Sequence, residues 1–215
     1  MNRYGSLSEY VDAIRSKDLD RFKKEVLDKL SKNVKEYITR SHGNKGYTIF
    51  SLVAMFGSTE QWEALASSYR SIPLAKKTKS LFPGDPLNNN RLSTICSPVQ
   101  CAVLAGNVPM LDFFLKNIKD SELSAGYGDS NNNLIHTLIS CGKIDTIRQI
   151  IGNERFSRKE VIKALLQPNK DGITPFTMAF SEGYGQLCRE ILTFIKASQN
   201  VTQLKTILLD ENLLK

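Results

Sequence analysis

The chain has 215 residues, enough for one ordinary domain or a short repeat array, and 41% of them are hydrophobic, which excludes general disorder. Its net charge of +7 would suit a polyanionic partner. However, acidic and basic residues interleave over 1–40, and the one dense basic cluster, Lys76, Lys77 and Lys79, lacks the interleaved aromatics that stack bases, so nucleic-acid binding is not expected.

No apolar run approaches the roughly 18 residues of a membrane span, so none is expected. The first residues are polar and acidic where a Sec-type leader would be apolar. The expectation is a cytoplasmic protein, with export by a route that reads no such leader left open. The four cysteines, Cys96, Cys101, Cys141 and Cys188, form no C-x-x-C pair, and the only histidines are His42 and His136. A zinc site is therefore not expected. Neither a phosphate-binding glycine loop nor a nucleophile elbow occurs, so no cofactor or catalytic residue is expected.

In chain order, Leu7, Tyr10, Val11, Ile14 and Leu19 predict a short amphipathic helix, and Phe22, Val26, Leu27 and Leu30 a second. Val34, Tyr37 and Ile38 predict an extension over 31–41. A turn over 43–48 precedes an apolar helix that ends at Gly57. A second helix follows near 59–69, with Trp62 and Leu65 inward. The connector 71–93 is rich in turn signals, and 74–82 within it reads as a short helix. Ser97-Pro98 opens the next short helix, which Gly106 ends, and Leu111, Phe114 and Leu115 face inward from its partner.

Gly126-Tyr127-Gly128 reads as a mobile loop. Asn131, Asn132 and Asn133 then supply a turn before a helix that ends at Gly142, and Ile147, Ile150 and Ile151 close a second one. Ser157 to Glu160 reads as a capping box opening an extra helix to Leu166. Thr174-Pro175 opens a short helix that Gly183 stops, and a longer helix carries Leu187, Ile191 and Leu192 on one face. A last helix is predicted over 201–214.

The order turn, short helix, glycine, longer helix recurs. Its clearest instance runs from Asn169 to Leu192, where Gly172, Thr174, Pro175, Ala179, Gly183 and Leu192 match the pattern of the ankyrin-repeat family, which the stretch resembles. Gly46, Thr48, Ala102, Gly106 and His136 match in the other units. The register glycines 57, 106, 142 and 183 are 49, 36 and 41 residues apart, against a family period of about 33. The resemblance implies an all-α ankyrin-repeat solenoid of about five stacked helix pairs with helical caps. It would form one domain over 1–215, with units near 7–41, 43–70, 94–118, 129–152 and 169–198 and a capping helix over 201–214. Lys17 stands where the first unit would have its glycine. The motif histidine, His136, would tie adjacent turns together.

In this family partners dock on turn tips and on the two residues before the short helix's glycine. Those places fall on Lys45, Tyr47, Met55 and Phe56, then Ile95, Cys96, Leu104 and Ala105. Further along they fall on Asn131, Asn132, Ser140 and Cys141, and finally on Lys170, Ile173, Ser181 and Glu182. The first half is apolar. Either it is an exposed protein contact, or the 71–93 connector folds back and covers it.

The implied function is a non-catalytic, monomeric scaffold or adaptor that binds a protein partner. The uneven repeats and Asn/Lys-rich loops are also similar to ankyrin proteins that intracellular bacteria deliver into host cells. The competing readings are a self-associating structural module and an enzyme, or a piece of one, with a site in the 71–93 connector. In that connector Asp85, Arg91 and the three lysines lie, without a spacing that supports chemistry.

Overall fold

The computed structural model describes residues 7–28, 49–68, 78–80 and 94–197. The chain divides into two compact units, 1–118 and 119–215. The described residues are mostly helical, as expected. The predictions over 31–41 and 201–214 lie outside them, as do His42, Lys45 and Tyr47.

In the first unit α1 (Leu7–Arg15) turns into α2 (Leu19–Phe22), which runs on as a π-helical turn over Lys23–Leu27. Asp18 caps α2 by accepting from the Arg21 N–H at 2.9 Å. Lys17, at the place of the expected glycine, holds φ at +56°, a left-handed conformation that costs a side-chain-bearing residue roughly 1–2 kcal/mol. The register mark is thus kept in the backbone although the residue type is not.

Helix α3 (Ile49–Phe56) contains one polar residue, Ser51, and so has no polar face to turn to water. It buries everything from Ile49 to Met55. Helix α4 (Thr59–Ser68) packs back on it through Trp62 and Leu65. The turn between them uses Gly57 for a reason other than φ. A Cβ there would stand 2.8 Å from the Val53 carbonyl and 2.9 Å from Val53 Cγ1.

The expected helix over 74–82 is corrected where the structure describes it. Thr78–Ser80 is a strand, β1, antiparallel to β2 (Thr94–Cys96), with Lys79 opposite Ile95. Short runs of this kind carry little periodicity, and pairing with a partner sixteen residues away decided the outcome. The β1 backbone lies against α3.

Helix α5 (Pro98–Ala105) starts at a full capping box. Ser97 Oγ accepts from Gln100 N at 3.3 Å, and Gln100 Oε1 accepts from Ser97 N at 3.0 Å. It ends at Gly106, φ +68°. The following Asn107 donates from Nδ2 to the carbonyls of Ala54 and Gly57, at 3.1 and 3.0 Å, and so links the α3–α4 turn to the next one. Helix α6 (Val108–Asn117) buries Met110, Leu111, Phe114 and Leu115. Phe114 meets Trp62 edge to face at 4.6 Å between centroids, and Trp62 meets Phe50 at 5.6 Å. These three rings tie α3, α4 and α6 into one core.

The second unit begins with a short helix the sequence did not announce, α7 (Ser121–Ser124). The expected mobile loop at Gly126-Tyr127-Gly128 is corrected. Tyr127 is buried, its N–H donates to Asn132 O at 2.9 Å, and its hydroxyl donates to Glu122 at 3.0 Å. Burial, and then the Glu122 charge, push the phenol well above its ordinary range.

Helices α8 (Leu134–Ser140) and α9 (Ile144–Gly152) pack on each other as one pair, and α11 (Pro175–Ser181) and α12 (Gly185–Lys196) as another. Their short helices start at Asn133 and Thr174 capping boxes and are followed by Gly142 and Gly183, with φ +66° and +80°. Between the pairs lies α10 (Arg158–Leu166). Its Ser157 accepts from Glu160 N as expected, but the reciprocal arm is absent, because Ser157 N donates instead to Asp120 Oδ2 at 2.8 Å. Helix α10 packs on α7, α9 and α11. Cys101, Cys188 and Cys96 are buried.

Candidate functional site

The second unit presents two turns in front of its two short helices. In the first, Tyr127 and Asn132 pair as an antiparallel bridge around Asn131, which holds φ at +57°. In the second, Asn169 organises the chain by itself. Its N–H donates to Ile173 O at 2.9 Å, and its Oδ1 accepts from Asp171 N at 2.9 Å and Ile173 N at 3.0 Å. Asparagine suits this place because its short amide reaches backbone groups two and four residues ahead.

Three bonds fasten one turn to the other. Lys170 N donates to Ser130 O at 2.9 Å, and Asn169 Nδ2 donates to Asn132 Oδ1 at 2.9 Å. The third comes from His136, whose Nε2 lies 2.9 Å from Ile173 O. His136 Nδ1 accepts from Asn133 N at 3.2 Å, so the proton sits on Nε2 and that nitrogen donates to the carbonyl. Asn133 is fixed in turn, with Nδ2 donating to Ala164 O at 2.8 Å. Burial lowers the imidazole pKa, against a smaller opposing effect of the Ile173 carbonyl, and keeps the ring neutral. Both ring nitrogens are occupied in a buried site, which leaves His136 no open nitrogen to act as a general base. It ties the two turns together, as the resemblance implied.

This frame sets which of the candidate residues reach water. Ile173 is 39% exposed, and Ser181 and Glu182 are also exposed. The Ser181 hydroxyl donates to Met178 O at 2.9 Å, so its remaining capacity is that of an acceptor. Phe180, which the sequence reading passed over, is 56% exposed. Its register partner in the preceding helix pair is Ile139, which is fully packed. Register alone does not separate the two. Lys170 is exposed, Ser140 is exposed, and Asn131, Asn132 and Cys141 are half-buried.

In the first unit the expected apolar contact surface is corrected at Met55 and Cys96. Met55 is 3% exposed and belongs to the core. Phe56 is half-buried under the Arg15 guanidinium, whose Cζ stands 4.4 Å from the ring centroid. Leu104 and Ala105 are half-buried, and Cys96 is buried. The reason is the composition of α3, which leaves no side for water, together with the β1 backbone lying against it. Among the described residues of this unit, Val108 at the start of α6 is the large apolar side chain that reaches water, 52% exposed.

Among the described residues, no group of three or more histidine, cysteine or acidic side chains is placed to hold a metal ion. Burial raises the Cys188 thiol above its usual range, away from the reactive thiolate. Asp85, Arg91, Lys76 and Lys77, the side chains of an imagined connector site, lie outside the described residues. No helix among the described residues is long and apolar enough to cross a membrane. The chain matches no protein-family model and no curated protein.

Proposed function

We propose that the chain is an ankyrin-type array of helix pairs that holds a protein partner on its turn tips and on the ends of its short helices. It acts as a monomeric scaffold or adaptor without chemistry of its own. Support for the repeat architecture comes from the recurring local devices: capping boxes at Ser97, Asn133 and Thr174, left-handed glycines at 106, 142 and 183, and a histidine that joins consecutive turns. A repeat unit of this kind rigidifies its turns against its neighbours and leaves their tips to contact a ligand.

The observation that carries the functional reading is the exposure of Ile173 and Phe180 in a turn and short helix held by the Asn169 and Thr174 side chains. Apolar side chains on a rigid frame lose little entropy when a partner covers them. The partner-binding set is therefore Ile173, Phe180, Ser181 and Glu182. The test is affinity capture of partners by the wild type and by an Ile173→Asp, Phe180→Asp double variant of verified fold. A partner retained by the wild type and lost by the variant is expected. Equal retention by both would remove these residues from the interface.

A further inference from the structure

A second surface, independent of that reading, lies on the other elements of the same unit. Helices α10 and α12 border an open groove of about 470 Å³. Two guanidiniums line it, Arg158 and Arg189, beside the ring of Phe194. Arg158 is held in place. Its Cζ stacks 4.7 Å from the Phe194 centroid, and Nη1 donates to Ala197 O at 3.2 Å. Its other N–H groups meet no acceptor among the described residues. Arg189 is exposed and makes no ion pair among the described residues.

The one acid in the wall, Glu190, is already satisfied. Its Oε2 accepts from Arg148 Nε at 2.9 Å, and its Oε1 from Gln186 Nε2 at 3.0 Å. The groove therefore offers two cations without a matching anion, together with an aromatic wall. Its size exceeds what a lone carboxylate or phosphate would fill. A dianion would also stand near the Glu190 carboxylate, which disfavours it relative to single negative charges spread along a chain.

We propose that this groove docks an acidic peptide segment of a partner protein, with carboxylates on Arg158 and Arg189 and an adjacent apolar side chain against Phe194. Guanidinium groups suit the task because they stay charged, donate in a planar fork and stack on rings.

The test is fluorescence anisotropy with a fluorescein-labelled octapeptide of alternating glutamate and leucine. A second peptide carries glutamine in place of glutamate, and inorganic phosphate serves as a competitor. Saturable binding of the glutamate peptide is expected. Arg189→Gln should weaken it about tenfold, the loss of one charge-assisted contact. Arg158→Gln should add to the loss, and Lys119→Gln, an exposed control in the same unit and outside the groove lining, should leave it unchanged. The glutamine peptide should not bind.

Four results would overturn the proposal: no binding, equal binding by the Arg189 variant, equal weakening by the Lys119 control, or displacement by phosphate at concentrations below the peptide's own. The last would make the groove a phosphate site. Arg158 also closes the end of α12, so its variant could lose stability. Arg189 has no such bond, and its variant alone decides the matter.

Discussion

Replacing His136 tests the joint between the two turns. In His136→Ala the Asn133 N–H loses its acceptor and the Ile173 carbonyl loses one of its two donors, keeping the Asn169 N–H, in a site where His136 and Asn133 are each 1% exposed. An orphaned buried polar group costs roughly 1–3 kcal/mol, and the space left by the ring adds to that, so a loss of roughly 3–5 kcal/mol is expected. Urea unfolding followed by circular dichroism measures it. His136→Gln, whose amide can donate and accept, should lose less.

The same residue sets a pH dependence. Its folded pKa lies below the ordinary 6.5, so the unfolded chain takes the proton first as pH falls. The contribution is fully present above pH 6.5 and is lost between there and the lowered folded value, by at most about 1.4 kcal/mol per pH unit. The glutamine variant should lack this slope. A cost below about 1 kcal/mol for His136→Ala, or the same slope in wild type and His136→Gln, would refute the assignment of His136 as the tie.

Substitutions at four further positions probe the frame. Lys17→Gly relieves a left-handed lysine and should raise stability by about 1 kcal/mol; an unchanged or lower urea midpoint would mean that residue 17 does not hold φ near +56°. Trp62→Ala removes the ring between Phe50 and Phe114 and should cost roughly 3–5 kcal/mol in the same assay, with a value below 1 counting against a shared aromatic core. Gly106→Ala and Gly57→Ala should each destabilise, by about 1 and roughly 1–3 kcal/mol, for different reasons. Asparagine, which tolerates the left-handed region, should recover part of the loss at 106, where a Cβ meets nothing within 4 Å, but not at 57, where it meets the Val53 carbonyl. Recovery at both positions would show that Gly57 is also chosen for its φ.

The local devices were legible in the sequence because each is a bargain among neighbours along the chain. Ser97 and Thr174 meet backbone donors three residues on, and Gly106, Gly142 and Gly183 relieve a clash within their own residue. The inward faces of α4, α6 and α12 followed from apolar spacing for the same reason. Ile173, Ser181 and Glu182, named from fixed offsets to those local marks, are exposed.

What spacing along the chain does not contain is the identity of the neighbour across space. Thr78–Ser80 became a strand because a partner at Thr94–Cys96 supplied its hydrogen bonds. Tyr127 became ordered because Asn132 and Glu122 took its polar groups. Met55 went inside because α3 is enclosed on every side, whereas Phe180, at the register place of the buried Ile139, stayed in water. Two apolar residues at equivalent places read alike in sequence, and burial is a property of what packs against them, which only the tertiary structure decides.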